Sequence, residues 1–270
     1  MFFSRKKKTA VNGNGEKKIK KDINGSKKKR AEIFVDFEHW YISLDRQFSL
    51  KPAIRAWRDS VAESYDILSI TFFGDFSNSA LRDEIPRLRE VSSRLIDTQN
   101  PSPHYKKDFT DFIMLDSIYQ HAMNSDGVDT FIIFTGDGHF NSVVSFLRTT
   151  LGKEVVIYGV REATSTLLKN SASSFILLPT DEEIEFGRKK LLVSTINELY
   201  EKRKAPRPTF VATVNAVSGN YNLDRDMIFE LLNSLIKSGH VVNRRYYVSK
   251  GRFIKVLALD TEKCIADGLL

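Results

Sequence analysis

The chain has 270 residues, 41% of them hydrophobic and 28% charged, which suits one sizeable folded domain with a smaller one and excludes a wholly disordered polymer. No apolar run approaches the roughly 18 to 20 residues of a membrane span, "MFFSRKKK" has no apolar stretch after its charges to act as a signal peptide, and a single cysteine, Cys264, excludes an internal disulfide or a thiolate metal cluster; the expected compartment is the cytoplasm. The net charge of +7 is segregated, with 12 Lys+Arg against 2 Asp+Glu in residues 1 to 30, 14 against 24 in residues 31 to 187, and 15 against 8 in residues 188 to 270.

Residues 1 to 30 mix Lys, Gly, Asn and Ser with almost no apolar content after Phe3, so they are expected to form a disordered basic arm. Such an arm is a solvated tail or a nucleic-acid contact, with an anionic membrane surface a weaker alternative. From Ala31 onward short β-branched or aromatic runs alternate with amphipathic stretches. Strands are expected at 32 to 37, 66 to 76, 131 to 135, 154 to 160 and 174 to 179, apolar throughout as in a parallel sheet buried on both faces. Helical patterns lie around Pro52 to Ser64, Ser79 to Leu95, Phe109 to Met123, Asn141 to Thr149 and Thr164 to Asn170. Repeated β-α units over residues 31 to 180 imply an α/β domain, and "TQNPSPHYKK" (98 to 107) reads as a loop within it.

After Pro179 the pattern turns helical. Helices are expected at 180 to 204, in "TFVATVNAVS" and at 223 to 240, the last closed by Gly239 as a left-handed cap. "VVNRRYYVSKGRFIKVLAL" then gives a hairpin. Three helices and a hairpin in this order imply a small winged-helix domain over residues 181 to 263, with 264 to 270 as a tail. Its basic wing, Arg244, Arg245, Lys250 and Arg252, suits nucleic acid, DNA included, although winged helices also use this element for protein contact.

In a parallel α/β sheet, ligands bind beyond the carboxyl ends of the strands. Asp36, Asp75 and Asp137 follow "IFV", "TFFG" and "FIIFTG" at such ends, and Asp111 sits in the first turn of a helix. Asp116 lies five residues further on, about 140° around that helix, which makes Asp111 the better candidate. Any one strand-end Asp is more simply a helix cap. Carboxylates gathered within a few ångström need a proton or a cation among them, and Mg²⁺ or Mn²⁺ is the usual answer. Gly136-Asp137-Gly138 is a poor phosphate cradle, because the third glycine of G-x-G-x-x-G falls on Asn141 and the P-loop lysine is absent. A phosphate-ester hydrolase of the Asp-x-Asp kind is disfavoured by Glu38 at the second position.

Spread over residues 32 to 179, "FVDFEHW", "KDFTDFIMLDSIY", "FTGDGHF", "LGKEVVIYGV" and "LLKNSASSFILLP" resemble, in order and spacing, the NYN domain, a branch of the PIN-like nuclease superfamily that includes the DUF88 and LabA-like proteins. The resemblance implies a three-layer α/β/α sandwich with a central parallel sheet and metal-dependent cleavage of RNA. It maps Asp36, Asp111 and Asp137, with Asp116 less securely, onto the acidic metal-binding positions, and it is compatible with an adjoining winged-helix or LOTUS-like module. His39 stands where the family usually has Asn, and His139 where it usually has the second Asp of the turn. His139 is then a candidate catalytic residue beside the three aspartates, and His39, Lys107 and Thr135 are candidate nucleic-acid contacts. Imidazole adds no negative charge to hold Mg²⁺, so a non-catalytic, nucleic-acid-binding regulator stands as the alternative to a ribonuclease. The sequence leaves the oligomeric state open.

Overall fold

The computed structural model describes residues 27–99, 109–201, 207–249 and 251–270, so the basic arm before residue 27, most of the loop at 98 to 107 including Lys107, and Lys250 lie outside the described residues. The chain divides into two compact units, one of Met1–Tyr41 and Ala53–Leu177, the other of Ile42–Pro52 and Leu178–Leu270. No described helix is long and apolar enough to cross a membrane.

In the first unit six strands form one parallel sheet: β1 (Lys29–Asp36), β2 (Tyr65–Gly74), β3 (Arg94–Asp97), β4 (Thr130–Phe134), β5 (Glu154–Val160) and β6 (Ser174–Leu178), in spatial order β3-β2-β1-β4-β5-β6. β4, "TFIIF", is buried at every position, as a central strand covered on both faces must be. Alternation along β1 and β4 sends Phe34, Phe131 and Ile133 to one face. There they meet Met114 and Ile118 of α5 (Phe109–Met123), Val143 and Val144 of α6 (Asn141–Ser145) and Leu168 of α7 (Thr166–Ser171). The other face is aromatic. Trp40 of α1 (Phe37–Phe48) stacks on Phe134 with centroids 4.2 Å apart, and Trp57 of α2 (Ile54–Ser64) meets Trp40 edge-on at 5.2 Å. Helices on both faces of one sheet make the α/β sandwich expected from the sequence.

Two elements depart from expectation. The stretch from Ser79 to Leu95 is not one helix: it holds two short helices, α3 (Ser79–Arg82) and α4 (Ile85–Arg89), and then the start of the edge strand β3. Pro86 at the start of α4 lacks the N–H a continuous helix would need, which is why the pattern breaks there. α1 begins directly at Phe37 with no intervening loop and was not expected from the sequence.

The second unit contains α8 (Asp181–Glu201), α9 (Phe210–Tyr221), α10 (Arg225–Lys237), the antiparallel hairpin of β7 (Val241–Ser249) and β8 (Arg252–Leu259), and α11 (Thr261–Ala266). α10 is capped by Asp224, whose carboxylate accepts the Met227 N–H at 2.8 Å, and it is followed by Gly239 at φ 80°. Leu192, Ile196, Val214, Ile228, Leu232 and Leu257 form its core. Residues 264 to 270 are not a loose tail, since Cys264 and Leu269 are buried in that core. His240 ties this end down: Nδ1 lies 2.7 Å from Ser238 Oγ and Nε2 lies 2.7 Å from Asp267 Oδ2.

Candidate metal centre

The sheet order places the site. From β1 the chain winds outward through β2 and β3, then crosses back through α5 to enter β4 on the other side of β1. The winding reverses between β1 and β4, and it is beyond the carboxyl ends of strands at such a reversal that α/β sheets bind ligands. Asp36 ends β1, the turn carrying Asp137 follows β4, and Asp111 lies in the first turn of the crossover helix α5. The strand parity that buries Phe34 against α5 sends Asp36 to that same face.

Both strand-end aspartates are also helix caps. Asp36 Oδ1 accepts the His39 N–H at 2.9 Å at the start of α1, and Asp137 Oδ1 accepts the His139 N–H at 2.8 Å at the start of a 3₁₀ turn (Gly138–Phe140). The cap and the site are therefore the same carboxyl, oriented by its own backbone. Gly136 makes the turn possible, because a Cβ there would lie 2.1 Å from the Ala163 carbonyl oxygen and 2.3 Å from His39 Nε2.

Asp111, Asp137 and His139 each offer one ligand atom, all within 4.8 Å of one another. An octahedral Mg²⁺ with bonds of about 2.1 Å spans about 4.2 Å between opposite ligands, so a small closing motion would seat an ion. Asp36 lies behind them, only 5% exposed, and its carboxyl is pushed up to about 8. Burial is the largest cause, opposed by the His39 N–H, and the charges of Asp111, Glu38 and Asp137 raise it further. Carboxylates that destabilise one another's charge in this way are what a cation would relieve, and the donor set of carboxylates with one imidazole fits Mn²⁺ and, less well, Mg²⁺.

Glu38 was the residue that sequence reasoning passed over. It sits in the first turn of α1 two residues after Asp36, and its Oε2 accepts the Asp75 N–H at 3.3 Å. The signal was present as a second acidic residue in "VDFEH", read there only as an argument against a phosphatase.

Several sequence candidates lie elsewhere. Asp116 is exposed on α5 and accepts from Gln120 Nε2 at 2.7 Å, away from the cluster as the helical turn requires. Asp75 caps its own turn, accepting the Ser77 N–H at 2.9 Å. Thr135 is 0% exposed and its Oγ1 accepts the Asp137 N–H at 3.3 Å, so it braces the turn and cannot touch a polymer. His39 packs behind Gly136 with Nε2 buried and without a hydrogen-bond partner among the described residues, and burial pushes its imidazole below the usual range, with Asp137 opposing. The imidazole therefore backs the turn at Gly136. His139 is the opposite case: its side chain is 69% exposed, with Nδ1 3.2 Å from Asp137 Oδ1. Arg244, Arg245 and Arg252 are exposed on the hairpin of the second unit.

The NYN domain family matches residues 30–179, more than half of the chain. The chain belongs to the NYN domain family. That family of PIN-like nucleases supports a nuclease-type role, and a cluster of two aspartates and a histidine able to hold a metal ion is present in this NYN domain. A crystal structure of a protein of unknown function from Vibrio parahaemolyticus is similar to the NYN domain in fold alone, with TM-score 0.51 and 21% identity over 57% of this chain and 95% of that one. MurG of Acinetobacter baumannii aligns with TM-score 0.33 and 14% identity over 72% of this chain and 64% of that one, a likeness too slight to bear on function. No curated protein sequence matches the chain.

Proposed function

We propose that the chain is a divalent-metal-dependent ribonuclease, with residues 31 to 180 as the catalytic domain and residues 181 to 263 as a nucleic-acid-binding winged helix. The observation that carries this reading is the convergence of Asp111, Asp137 and His139 ligand atoms within 4.8 Å of one another. Asp36, Asp111 and Asp137 would hold Mg²⁺ or Mn²⁺, with Glu38 adding negative charge behind them. Bound there, the ion would neutralise phosphate charge and activate water for phosphodiester hydrolysis. Exposed His139, oriented through Nδ1 by Asp137, would contact a phosphate oxygen or carry a proton at Nε2. The acidic domain repels RNA by itself, so the basic arm and hairpin, Lys250 among them, would supply the attraction, for RNA or for DNA.

The test is cleavage of single-stranded RNA by purified protein in Mn²⁺, in Mg²⁺ and in EDTA. Cleavage only with added metal, abolished by Asp137→Asn, is expected; activity surviving in EDTA overturns the reading. A second reading is favoured by His39 and His139 in place of the usual Asn and Asp: a non-catalytic regulator that binds nucleic acid. Salt-sensitive binding with no cleavage in any metal would select it.

A further inference from the structure

The two faces of the β7–β8 hairpin are unlike. Its register pairs Arg245 with Lys255 and Tyr247 with Phe253, and cross-strand partners two residues apart share a face. The Tyr247 and Phe253 rings meet at 6.3 Å, and the Arg245 guanidinium lies 5.0 Å from the Phe253 centroid, as that shared face requires. On the opposite face Tyr246 is already occupied: the Arg207 guanidinium lies 4.7 Å from its ring and donates to its hydroxyl at 3.4 Å. That face also exposes aliphatic Val248 and Ile254, whereas the first face is the one that presents two rings together, Tyr247 69% and Phe253 48% exposed.

Exposed rings of this size need an occupant. Arg and aromatic rings also occur at protein interfaces, but residues 241 to 259 carry five basic and no acidic residues, and that uniform charge complements a polyanion. The combination selects a polyanion that has flat apolar faces to offer. In a duplex the base faces are hidden in the stack, so the rings can serve only unpaired bases. We propose that this face of the hairpin is a stacking platform for single-stranded RNA, with Tyr247 and Phe253 against bases and Arg245 and Lys255 against phosphates. The proposal rests on the ribonuclease reading only for the choice of RNA as the polymer.

The test uses the full chain in EDTA, where no cleavage by a metal-dependent enzyme intervenes, and a short unstructured RNA followed by fluorescence anisotropy. Tyr247→Ala with Phe253→Ala should weaken binding at least about 10-fold and leave binding of duplex RNA unchanged. Ring-retaining Tyr247→Phe with Phe253→Tyr should bind as the wild type, which separates a lost stack from a damaged fold. Arg245→Gln with Lys255→Gln should reduce the slope of log affinity against log salt by about 1.4. Wild-type affinity in the alanine variant, or an equal loss on duplex, would overturn the platform. Its failure leaves the Asp137→Asn cleavage test standing, and absence of cleavage in every metal leaves this binding test standing.

Discussion

The two units solve opposite problems in presenting polar chemistry. In the NYN domain the candidate metal-binding groups are carboxylates close to the ends of strands, and the two at strand ends, buried Asp36 and partly exposed Asp137, are each held by their own backbone through a cap bond. In the second unit the candidate contacts are cations and rings pushed outward on a ribbon, placed by strand register alone. The difference predicts how each tolerates change. A site built from strand ends and helix caps is coupled to the fold that makes it, whereas a ribbon face can lose its function and keep its structure.

The largest expected effect falls on the strand-end site. Asp137→Asn should lower RNA cleavage about 100-fold or more, since several kcal/mol of transition-state stabilisation depend on the bound ion, while a thermal melt stays near the wild type. Gly136→Ala tests the coupling directly. Its Cβ would strike the Ala163 carbonyl and His39, so it should lose about 1–3 kcal/mol of stability by urea denaturation together with cleavage; an unchanged midpoint would break the comparison.

In the second unit, His240→Ala removes the link between Ser238 and Asp267 and should cost that unit about 1–3 kcal/mol. Both tryptophans, Trp40 and Trp57, lie in the first unit, so tryptophan fluorescence should stay put while the far-ultraviolet circular dichroism transition shifts. A joint shift would show that the units do not unfold separately. His139→Asp should raise the ratio of Mg²⁺- to Mn²⁺-supported cleavage several-fold, because it sets a hard carboxylate oxygen beside the other carboxylates where the imidazole stood. The smallest effect concerns Cys264. Burial, with Asp260 and Asp267 adding, pushes its thiol up, so less thiolate is present at neutral pH and alkylation by iodoacetamide should be slow until the unit is unfolded in urea.

Much of this arrangement was legible in the residues. The central strands declared themselves because burial on both faces leaves no polar alternation, and Asp36 and Asp137 stood out because each ends such a run. β3 did not, since "RLID" is a short edge strand with exposed ends and a helical pattern before it. α1 was missed because it starts with no turn residue between it and β1. Helical angle showed that Asp111 and Asp116 could not share one small site, and Asp111 was the one in the first turn of its helix. The roles of Glu38 and His39 depend on neighbours remote in sequence, Asp75 and Gly136, and no local pattern encodes those approaches.

The double duty of Asp36 and Asp137 has an evolutionary consequence. Asparagine caps a helix about as well as aspartate but brings no charge, and in the genetic code the two differ by a single base. A lineage carrying this turn can therefore shed catalysis in one mutational step with its fold intact, and regain it in one step back. Enzymes and silent binders built on such a turn are then adjacent in sequence space, with little folding barrier to keep them apart.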